Sequence, residues 1–364
     1  MKRISLAMMT FFVLVLANSW TLAQTEYQKP ALTENDAWSM ILIPDPQSYV
    51  KFERNQPIYD LMVAWIAENI DPLKIGLVLC TGDLVERNDV PEMNGKEGNQ
   101  NSIQQWTATS KTLKRLDSRV PYIIVPGNHD YGFKSAENRE SKLNQFFPAD
   151  GNDSAMGHLI ECGTNAFGEK TLENAAYEYV SPAGQKYLVL ALEFAPRDEI
   201  INWAKEIAAR PEYENHFGIL LTHSYLSSNN KRIQMETGYK IQVEGTNCGQ
   251  TIWEKLVYPS KIIRLVLCGH ISKADDFNGC VGYAKEKNES GKMVHQMLFD
   301  TQALGGGWHG NGGDGWLQIL EFSADGQRIS VRTFSPLFAA SPSTRNLAWN
   351  REPYAEFILD IDEE

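Results

Sequence analysis

The chain is 364 residues long, which is enough for one large α/β domain or two domains of ordinary size. Hydrophobic residues make up 43% and charged residues 22%, a balance that excludes a chain with a long disordered tail. The formal net charge of -12 argues against a nucleic-acid partner, because phosphate groups would be repelled. An anionic substrate would need a local positive charge, such as a bound metal ion.

The N-terminal residues have the pattern of a secretion signal. Lys2 and Arg3 precede an apolar run over residues 4–17, and residues 21–23 (Thr-Leu-Ala) offer a small-residue cleavage site. The run is short for a membrane-spanning helix, which disfavours the alternative of a membrane anchor. We therefore predict a signal peptide over residues 1–23, a secreted or periplasmic protein, and no membrane span in the remaining chain.

Five cysteines are present, and their surroundings differ. Cys80 and Cys268 each end an apolar strand, so we expect them to be buried as small hydrophobic residues. Cys162, Cys248 and Cys280 lie in polar, glycine-containing segments. An exported protein could pair two of these three, and the sequence does not indicate which two.

Apolar strands alternate with amphipathic helices in the first third of the chain. The predicted elements are strand 40–43, helix 57–70, strand 75–80, helix 102–116 and strand 122–125. This β-α-β-α-β order predicts a parallel sheet that is covered by helices.

The pattern weakens over residues 131–185, where apolar runs are short and glycine, asparagine and serine are frequent. We expect loops over the ligand-binding edge of the sheet there, with one helix near residues 141–147. Strands return at residues 187–192, 218–221 and 262–268.

The C-terminal part changes character. Short strands are predicted at residues 294–299, 316–322 and 329–334, and residues 324–326 (Ala-Asp-Gly) make the last two a hairpin. We expect these three strands to form a second sheet that is at least partly antiparallel. The glycine-rich segment 305–313 is predicted to be a loop whose backbone approaches another group closely.

Polar side chains follow six of the predicted strands. They are Asp45, Asp83, Asn128-His129-Asp130, Glu193, His223 and His270. Because the carboxyl ends of parallel strands lie along one edge of a sheet, we expect these groups to meet. Carboxylates, amides and neutral imidazoles are ligands for divalent ions such as Zn, Fe or Mn. Without an ion between them, such groups would repel one another or stay unsatisfied.

Two such ions about 3.5–4 Å apart could bind a phosphoryl group and acidify a bound water. A carboxylate between the ions can bridge both. Asp83 is the natural candidate, since the preceding Gly82 lets the backbone and a metal ion approach closely.

The order of these motifs resembles the calcineurin-like metallophosphoesterase superfamily. The motifs are Asp45-x-Gln47, Gly82-Asp83-x-x-Glu86, Gly127-Asn128-His129-Asp130, His223 and Gly269-His270. The resemblance covers residues 40–272 by motif and implies an α/β fold, a four-layer αββα sandwich of two mixed β-sheets flanked by helices. It implies a phosphoesterase domain over residues 36–340, on which a C-terminal extension, residues 341–364, packs. The Asp-x-Gln motif resembles a branch of secreted, bacterial-type members.

The resemblance also implies two divalent metal ions (Fe, Zn or Mn) and their ligands. The implied ligands are Asp45, Gln47, Asp83, Asn128, His223 and His270. Asp45 would bind the first ion, and Asp83 would bridge both. The amide and the two imidazoles would complete the second site.

His129 would face the phosphate and protonate the leaving group, and Asp130 would orient it. The resemblance assigns no residues to substrate binding. Three residues are candidates by position: Trp308 and His309 in the glycine-rich loop, and His295 on an apolar strand. Each of the three has a plainer interpretation as a surface or core residue.

The chain departs from the family pattern at two positions. The family has histidine where Gln47 and Ser272 stand, and both positions belong to the first metal site. Gln47 can bind a metal through its amide oxygen. Three alternatives follow: the first ion is weakly held, a residue such as His295 or His309 replaces the lost ligand, or only one ion binds.

We therefore predict a secreted metallophosphoesterase in which metal-bound hydroxide attacks a small phosphomonoester or phosphodiester. The alternative, favoured by Gln47 and Ser272, is a weak or inactive binding protein with one degraded metal site. A metal-dependent hydrolase of a non-phosphate ester or sugar is a third hypothesis. Substrate determinants are expected in residues 131–185, 227–249 and 305–313. No oligomeric state is predicted.

Overall fold

The computed structural model describes residues 27–151, 155, 157–235 and 245–361. The predicted signal peptide therefore lies outside the described residues. So do residues 152–154, 156 and 236–244, which belong to the segments in which substrate determinants are expected. Within the described ranges, no helix combines the length and the apolar character needed to cross a membrane.

The described residues form two mixed β-sheets with helices packed against them. The strands are β1 (Trp38–Ile43), β2 (Ile75–Cys80), β3 (Tyr122–Ile124), β4 (Leu159–Thr164), β5 (Lys170–Val180), β6 (Lys186–Leu192), β7 (Phe217–Thr222), β8 (Ile263–Cys268), β9 (Val281–Lys287), β10 (Met293–Phe299), β11 (Leu317–Phe322), β12 (Arg328–Phe334), β13 (Trp349–Asn350) and β14 (Phe357–Asp360). The α-helices are α1 (Gln47–Val50), α2 (Gln56–Glu68), α3 (Ser102–Leu113), α4 (Leu143–Phe146), α5 (Asp198–Ala208), α6 (Gly249–Ile252) and α7 (Pro336–Ala339). The predicted fold class is confirmed.

The first sheet has the strand order β13-β12-β11-β1-β2-β3, and β14 also pairs with β12. Strands β1, β2 and β3 are parallel, whereas β11 runs antiparallel to β1. Ile43 lies opposite Cys80, and Cys80 lies opposite Ile124. The three parallel strands therefore end together at one edge.

The second sheet has the order β4-β5-β6-β7-β8-β10-β9, in which β6, β7, β8 and β10 are parallel. Leu192 lies opposite Thr222, and Leu298 lies opposite Cys268. These four strands also end together, so the second sheet likewise has an edge formed by the carboxyl ends of strands.

Trp38 on β1 joins the two sheets. Its ring stacks on Phe322 of the same sheet, with centroids 4.7 Å apart. On the other side it lies 5.1 Å from Tyr179 and 5.2 Å from Tyr187, which belong to the second sheet. Burial of large aromatic rings between the sheets supplies much of the apolar core.

Helices cover the outer faces of both sheets. Met62, Val63 and Ile66 of α2 are buried in the cluster that contains β1 and β2. Ile200 and Ile207 of α5 pack in a separate apolar cluster with the outer residues of β6, β7 and β8. This arrangement is the predicted order of layers, helix-sheet-sheet-helix.

The prediction that the three C-terminal strands form their own sheet is wrong. Strand β10 pairs parallel with β8 in the second sheet, while β11 and β12 extend the first sheet from β1. Local patterns predict a strand but not its partner, and the partners here are distant in sequence. Strands β13 and β14 continue the first sheet beyond β12. The division at residue 340 stays a prediction.

Residues 131–185 hold more structure than predicted. Helix α4 lies within the expected segment, but β4 and β5 form an antiparallel pair where loops were expected. Strand β4 is only partly buried at the edge of its sheet, so its apolar run is short. Strand β5 buries the polar residues Glu173 and Asn174, which hide its strand character from a hydrophobicity pattern.

Candidate metal centre

The carboxyl-end edges of the two sheets meet at a buried cluster. Asp45 follows β1, Asp83 follows β2, and His223 follows β7 of the other sheet. Each offers one ligand atom, and these atoms lie within 4.8 Å of one another. His223 Nδ1 is 3.9 Å from Asp45 Oδ1, and its Nε2 is 3.4 Å from Asp83 Oδ1. All three side chains are buried.

Two further predicted ligands complete one side of this cluster. His223 Nε2 lies 3.0 Å from Asn128 Oδ1 and 3.1 Å from His270 Nδ1. Asn128 begins a 3-10 turn that follows β3, and His270 follows β8. The structure thus brings together five of the predicted ligands, from four strands of two sheets and a turn.

The donor set at His223 requires a positive charge. Its Nδ1 is 2.8 Å from the Thr81 carbonyl, to which it donates, so Nε2 of a neutral ring carries a lone pair. Asn128 turns its oxygen towards this nitrogen because its Nδ2 donates to Ser135 Oγ at 2.9 Å. Two lone pairs then oppose each other beside the Asp83 carboxylate. A proton or a metal ion must lie there, and the donors fit a divalent metal ion.

Burial and neighbouring charges shift the pKa values of Asp45, Asp83 and His223. Burial, Asp300 and then Asp83 raise the pKa of Asp45 well above its ordinary value. Burial would also raise the pKa of Asp83, but His223 and His129 outweigh it and hold that pKa below its usual range. Burial acts to lower the pKa of His223, yet Asp83 and Asp45 raise it to about 10. Without a metal ion, a proton on His223 would supply the charge.

The backbone is strained at two of the ligands. Asp83 has φ 50° and His270 has φ 77°, both in the left-handed region that side chains other than glycine rarely adopt. The strain is held by hydrogen bonds: His129 N donates to Asp83 Oδ1 at 2.9 Å, and His270 N donates to Asp45 Oδ2 at 2.9 Å. The strand ends therefore fix the carboxylates as well as the imidazoles.

Gln47 stands at the start of α1 with one half of its amide unsatisfied. Its Nε2 donates to Gln302 Oε1, but its buried Oε1 has no hydrogen-bond partner among the described residues. A buried polar atom without a partner is uncommon and calls for an explanation such as a missing ion. The amide oxygen is the atom through which a glutamine would bind a metal.

His129 lies beside the cluster and is oriented by the backbone. Its Nδ1 is 2.8 Å from the Glu86 carbonyl and 3.3 Å from Arg87 Nη1. With a proton on Nδ1 for the carbonyl, Nε2 is the nitrogen that can exchange a proton with a bound molecule. Arg87, which sequence reasoning did not single out, therefore joins this side of the site.

The orienting role predicted for Asp130 needs correction. Its carboxylate accepts three backbone N–H groups, from Leu84 and Val85 at 3.0 Å and from Gly127 at 2.8 Å. It ties the loop after β2 to the loop after β3, because a carboxylate can accept several bonds at once. The Glu86 carbonyl orients His129 instead. Burial and then Asp83 raise the pKa of Asp130 to about 8.

The three candidates for substrate contact are not among the residues that form the buried cluster. His295 Nδ1 is 2.8 Å from the Tyr283 hydroxyl, and its Nε2 is 3.2 Å from the Asp360 carbonyl. Trp308 is 43% exposed and His309 is exposed, with its carbonyl bonded to Arg54. These contacts tie His295 to β9 and β14 and lend no support to the substrate role expected of it. For Trp308 and His309 that role stays a prediction.

The strand-end residue Glu193 forms ion pairs within the protein. Glu193 pairs with Arg197, at 2.9 Å, and with Arg139, at 3.8 Å, and does not join the cluster.

All five cysteines are in the described ranges and are free thiols. Cys80 and Cys268 are buried as predicted.

Two residues beside the first metal position were missed by sequence reasoning. Asp300 and Gln302 follow β10, and both are buried. Gln302 Nε2 donates to Asp300 Oδ2 at 2.9 Å and lies 3.5 Å from Asp45 Oδ2, so it links the two carboxylates. The signal was present: an apolar strand ends in Asp-x-Gln, as it does near Asp45.

Comparisons with known proteins agree with the geometry. The family model described as calcineurin-like phosphoesterase matches residues 43–273, more than half of the chain. The chain is 26% identical, over 307 residues, to the uncharacterized protein YvnB of Bacillus subtilis (strain 168). That alignment covers 83% of this chain, which spans only 20% of the length of YvnB.

A solved structure with a similar outline is titled "GAP50 the anchor in the inner membrane complex of Plasmodium". It covers 90% of this chain and 89% of its own, with 9% identity and a TM-score of 0.44. A similarity at this level has no bearing on function.

Proposed function

The chain belongs to the calcineurin-like phosphoesterase family, and on that premise we propose that it is an exported, metal-dependent phosphoesterase. Its substrate in this proposal is a small phosphate monoester or diester. The observation that carries the proposal is the meeting of His223 Nε2 with Asn128 Oδ1 at 3.0 Å beside the Asp83 carboxylate. These atoms require a cation, and the family normally binds divalent metals.

The proposed ligands are drawn from both sheets. They are Asp45, Gln47, Asp83, Asn128, His223 and His270. Bound divalent ions would supply Lewis-acid stabilisation of phosphate charge and would acidify water. Backbone hydrogen bonds from His129 to Asp83 and from His270 to Asp45 hold these carboxylates in place before any ligand arrives, so little reorganisation is needed during the reaction.

His129 is proposed to protonate the leaving group. The Glu86 carbonyl, 2.8 Å from Nδ1, orients the ring, and Nε2 is the nitrogen proposed to transfer the proton. Asp83 accepts a hydrogen bond from the backbone of His129, which ties the proton donor to the proposed bridging carboxylate. The proposed proton donor and the proposed bridging ligand are thus held next to each other by this hydrogen bond.

A protein that binds a phosphorylated ligand without turnover is the second candidate. Ser272 stands where the family pattern has histidine, and its hydroxyl contacts Cys280 Sγ at 3.3 Å and the Ala303 amide at 3.2 Å. These contacts support a first site that lacks one familiar ligand.

We expect the purified protein, loaded with Mn²⁺ or Zn²⁺, to hydrolyse p-nitrophenyl phosphate or its bis-ester, and to lose this activity on chelation. The full chain would be expressed with its leader, and the intact mass of the exported product would report removal of residues 1–23. An inactive protein with bound metal would support the binding protein. Hydrolysis of carboxylic esters alone would reject the phosphoesterase, and an unprocessed product in the cytoplasm would reject export.

A further inference from the structure

We propose that Asp300 is a ligand of the first metal ion and takes the place of the histidine that is absent at position 272. The proposal rests on the proposed metal-dependent function and deepens it. Gln302 is proposed as a positioning residue that holds both Asp300 and Gln47.

The topology places Asp300 at the correct edge. Strand β10 lies next to β8 and parallel to it, with Leu298 opposite Cys268. Asp300 therefore leaves its strand beside the segment that carries His270. The Asp300 amide donates to the Cys280 carbonyl at 2.9 Å, which fixes the start of the loop.

The Ser272 hydroxyl is engaged by neighbouring loops, so we assign the first-site ligand position to Asp300. This hydroxyl lies 3.3 Å from Cys280 Sγ and accepts from the Ala303 amide at 3.2 Å. The loop after β8 is thereby tied to the loop after β10. The serine acts as a brace between the two loops, and the acidic side chain beside Asp45 comes from the neighbouring strand.

A continuous chain of buried polar groups links Asp300 to the other first-site residues. Asp300 is fully buried, and Gln302 Nε2, which lies 3.5 Å from Asp45 Oδ2, links its carboxylate to that of Asp45. Asp300 Oδ2 accepts from Gln302 Nε2 at 2.9 Å, and its Oδ1 accepts from Gln302 N at 3.0 Å. Gln302 Oε1 in turn accepts from Gln47 Nε2.

Two independent observations point to a cation in this network. Asp45, Asp83 and Asp300 are three buried carboxyl groups, and they follow the ends of β1, β2 and β10. Separately, Gln47 Oε1 is buried without a hydrogen-bond partner among the described residues. Buried carboxylates are costly unless they are paired or coordinate a metal, and one ion would satisfy both the acids and the amide oxygen.

The two sites then differ in donor chemistry. The first site offers only oxygen atoms, from Asp45, Gln47 and Asp300 together with the shared Asp83. The second site adds the imidazoles of His223 and His270. Oxygen donors suit Mn²⁺ and Mg²⁺, whereas imidazoles suit Zn²⁺ and Fe²⁺. The all-oxygen donors of the first site therefore suit Mn²⁺, the ion with which the ligand assignment is tested.

The test is the metal content of Asp300→Asn and Asp300→Ala, measured by mass spectrometry after equilibration with Mn²⁺. We expect two ions per chain in the wild type and one in each variant, with the affinity for the first ion reduced at least about 100-fold. The electron paramagnetic resonance spectrum should change from that of a coupled Mn²⁺ pair to that of an isolated ion.

Two controls separate the ligand from its surroundings. Ser272→Ala should keep both ions, because its hydroxyl braces loops and does not bind metal. Asp314→Asn should also keep both, since its carboxylate is bonded to Asn311. In crystals of the wild type, an anomalous Mn signal should lie at bonding distance from an Asp300 oxygen, a result that does not depend on a variant folding.

The outcomes distinguish this inference from the proposed function. Two ions at wild-type affinity in folded Asp300→Ala, or an anomalous signal remote from Asp300, would overturn the ligand assignment and leave the phosphoesterase standing. A wild type with two ions, lost as expected in the variants but without ester hydrolysis, would support the assignment and reject the phosphoesterase. A wild type that binds no ion, or only one, would overturn the assignment, and binding of none would reject both.

Discussion

His129 and His158 are two histidines with the same backbone contact and different neighbours. His129 Nδ1 is 2.8 Å from the Glu86 carbonyl, and His158 Nδ1 is 3.0 Å from the Glu178 carbonyl. Only His129 adjoins the proposed metal ligands. We expect His129→Ala to lower kcat by about 10²–10⁴-fold on an alkyl phosphate, whose leaving group needs a proton.

The matched variant His158→Ala should leave this rate within a factor of about two, since its ring lies beside Tyr179 outside the site. Metal content should be unchanged in both variants. The loss in His129→Ala should be smaller with p-nitrophenyl phosphate, because nitrophenolate departs readily without a proton. An equal loss on both substrates would argue against a proton donor.

Among secondary-structure elements, the ends of β1 and β8 approach each other so closely that only glycine fits between them. A Cβ atom on Gly269 would lie 2.1 Å from Asp45 Oδ1 and 2.7 Å from Thr81 Oγ1. We therefore expect Gly269→Ala to displace Asp45 and to weaken Mn²⁺ binding about 10–100-fold, as loss of groups that support metal ligands does. Titration calorimetry would measure this affinity.

Gly157→Ala is the comparison, because a Cβ atom there would meet nothing within 4 Å. Its affinity for Mn²⁺ should equal that of the wild type. Equal affinity in a folded Gly269→Ala protein would mean that the close packing of the strand ends does not position Asp45.

At the scale of the whole molecule, the metal centre joins the two sheets, so bound ions should stabilise the fold. An ion at 100 times its dissociation constant contributes about 2.7 kcal/mol. For a chain of this size we expect chelation to lower the midpoint of thermal unfolding by about 3–4 °C for each ion removed. Differential scanning calorimetry would measure the shift.

Readdition of Mn²⁺ should restore the midpoint, which separates removal of the ion from any other effect of the chelator. If the loaded protein binds two ions and its midpoint equals that of the chelated protein, bound metal does not stabilise the fold.

The sequence predicts the site better than it predicts the sheets that carry it. Asp45, Asp83 and His223 could be grouped because a polar residue after an apolar strand lies at the strand's carboxyl end in any parallel sheet. Which sheet contains each strand depends on partners far away in sequence, such as β11 beside β1. Asp300 was missed although Asp-x-Gln also follows its strand, because β10 was expected in a separate sheet and not beside β8.

The pairing of β1 with β11 also sets when the site can exist during synthesis. Asp45 emerges early, but its neighbour Asp300 is made 255 residues later, and β11 follows at residue 317. Until then β1 lacks one of its two partner strands, and the proposed first metal site lacks its proposed ligand Asp300. A growing or prematurely ended chain therefore cannot assemble the complete centre. We therefore expect the complete proposed centre only in chains that extend past β11.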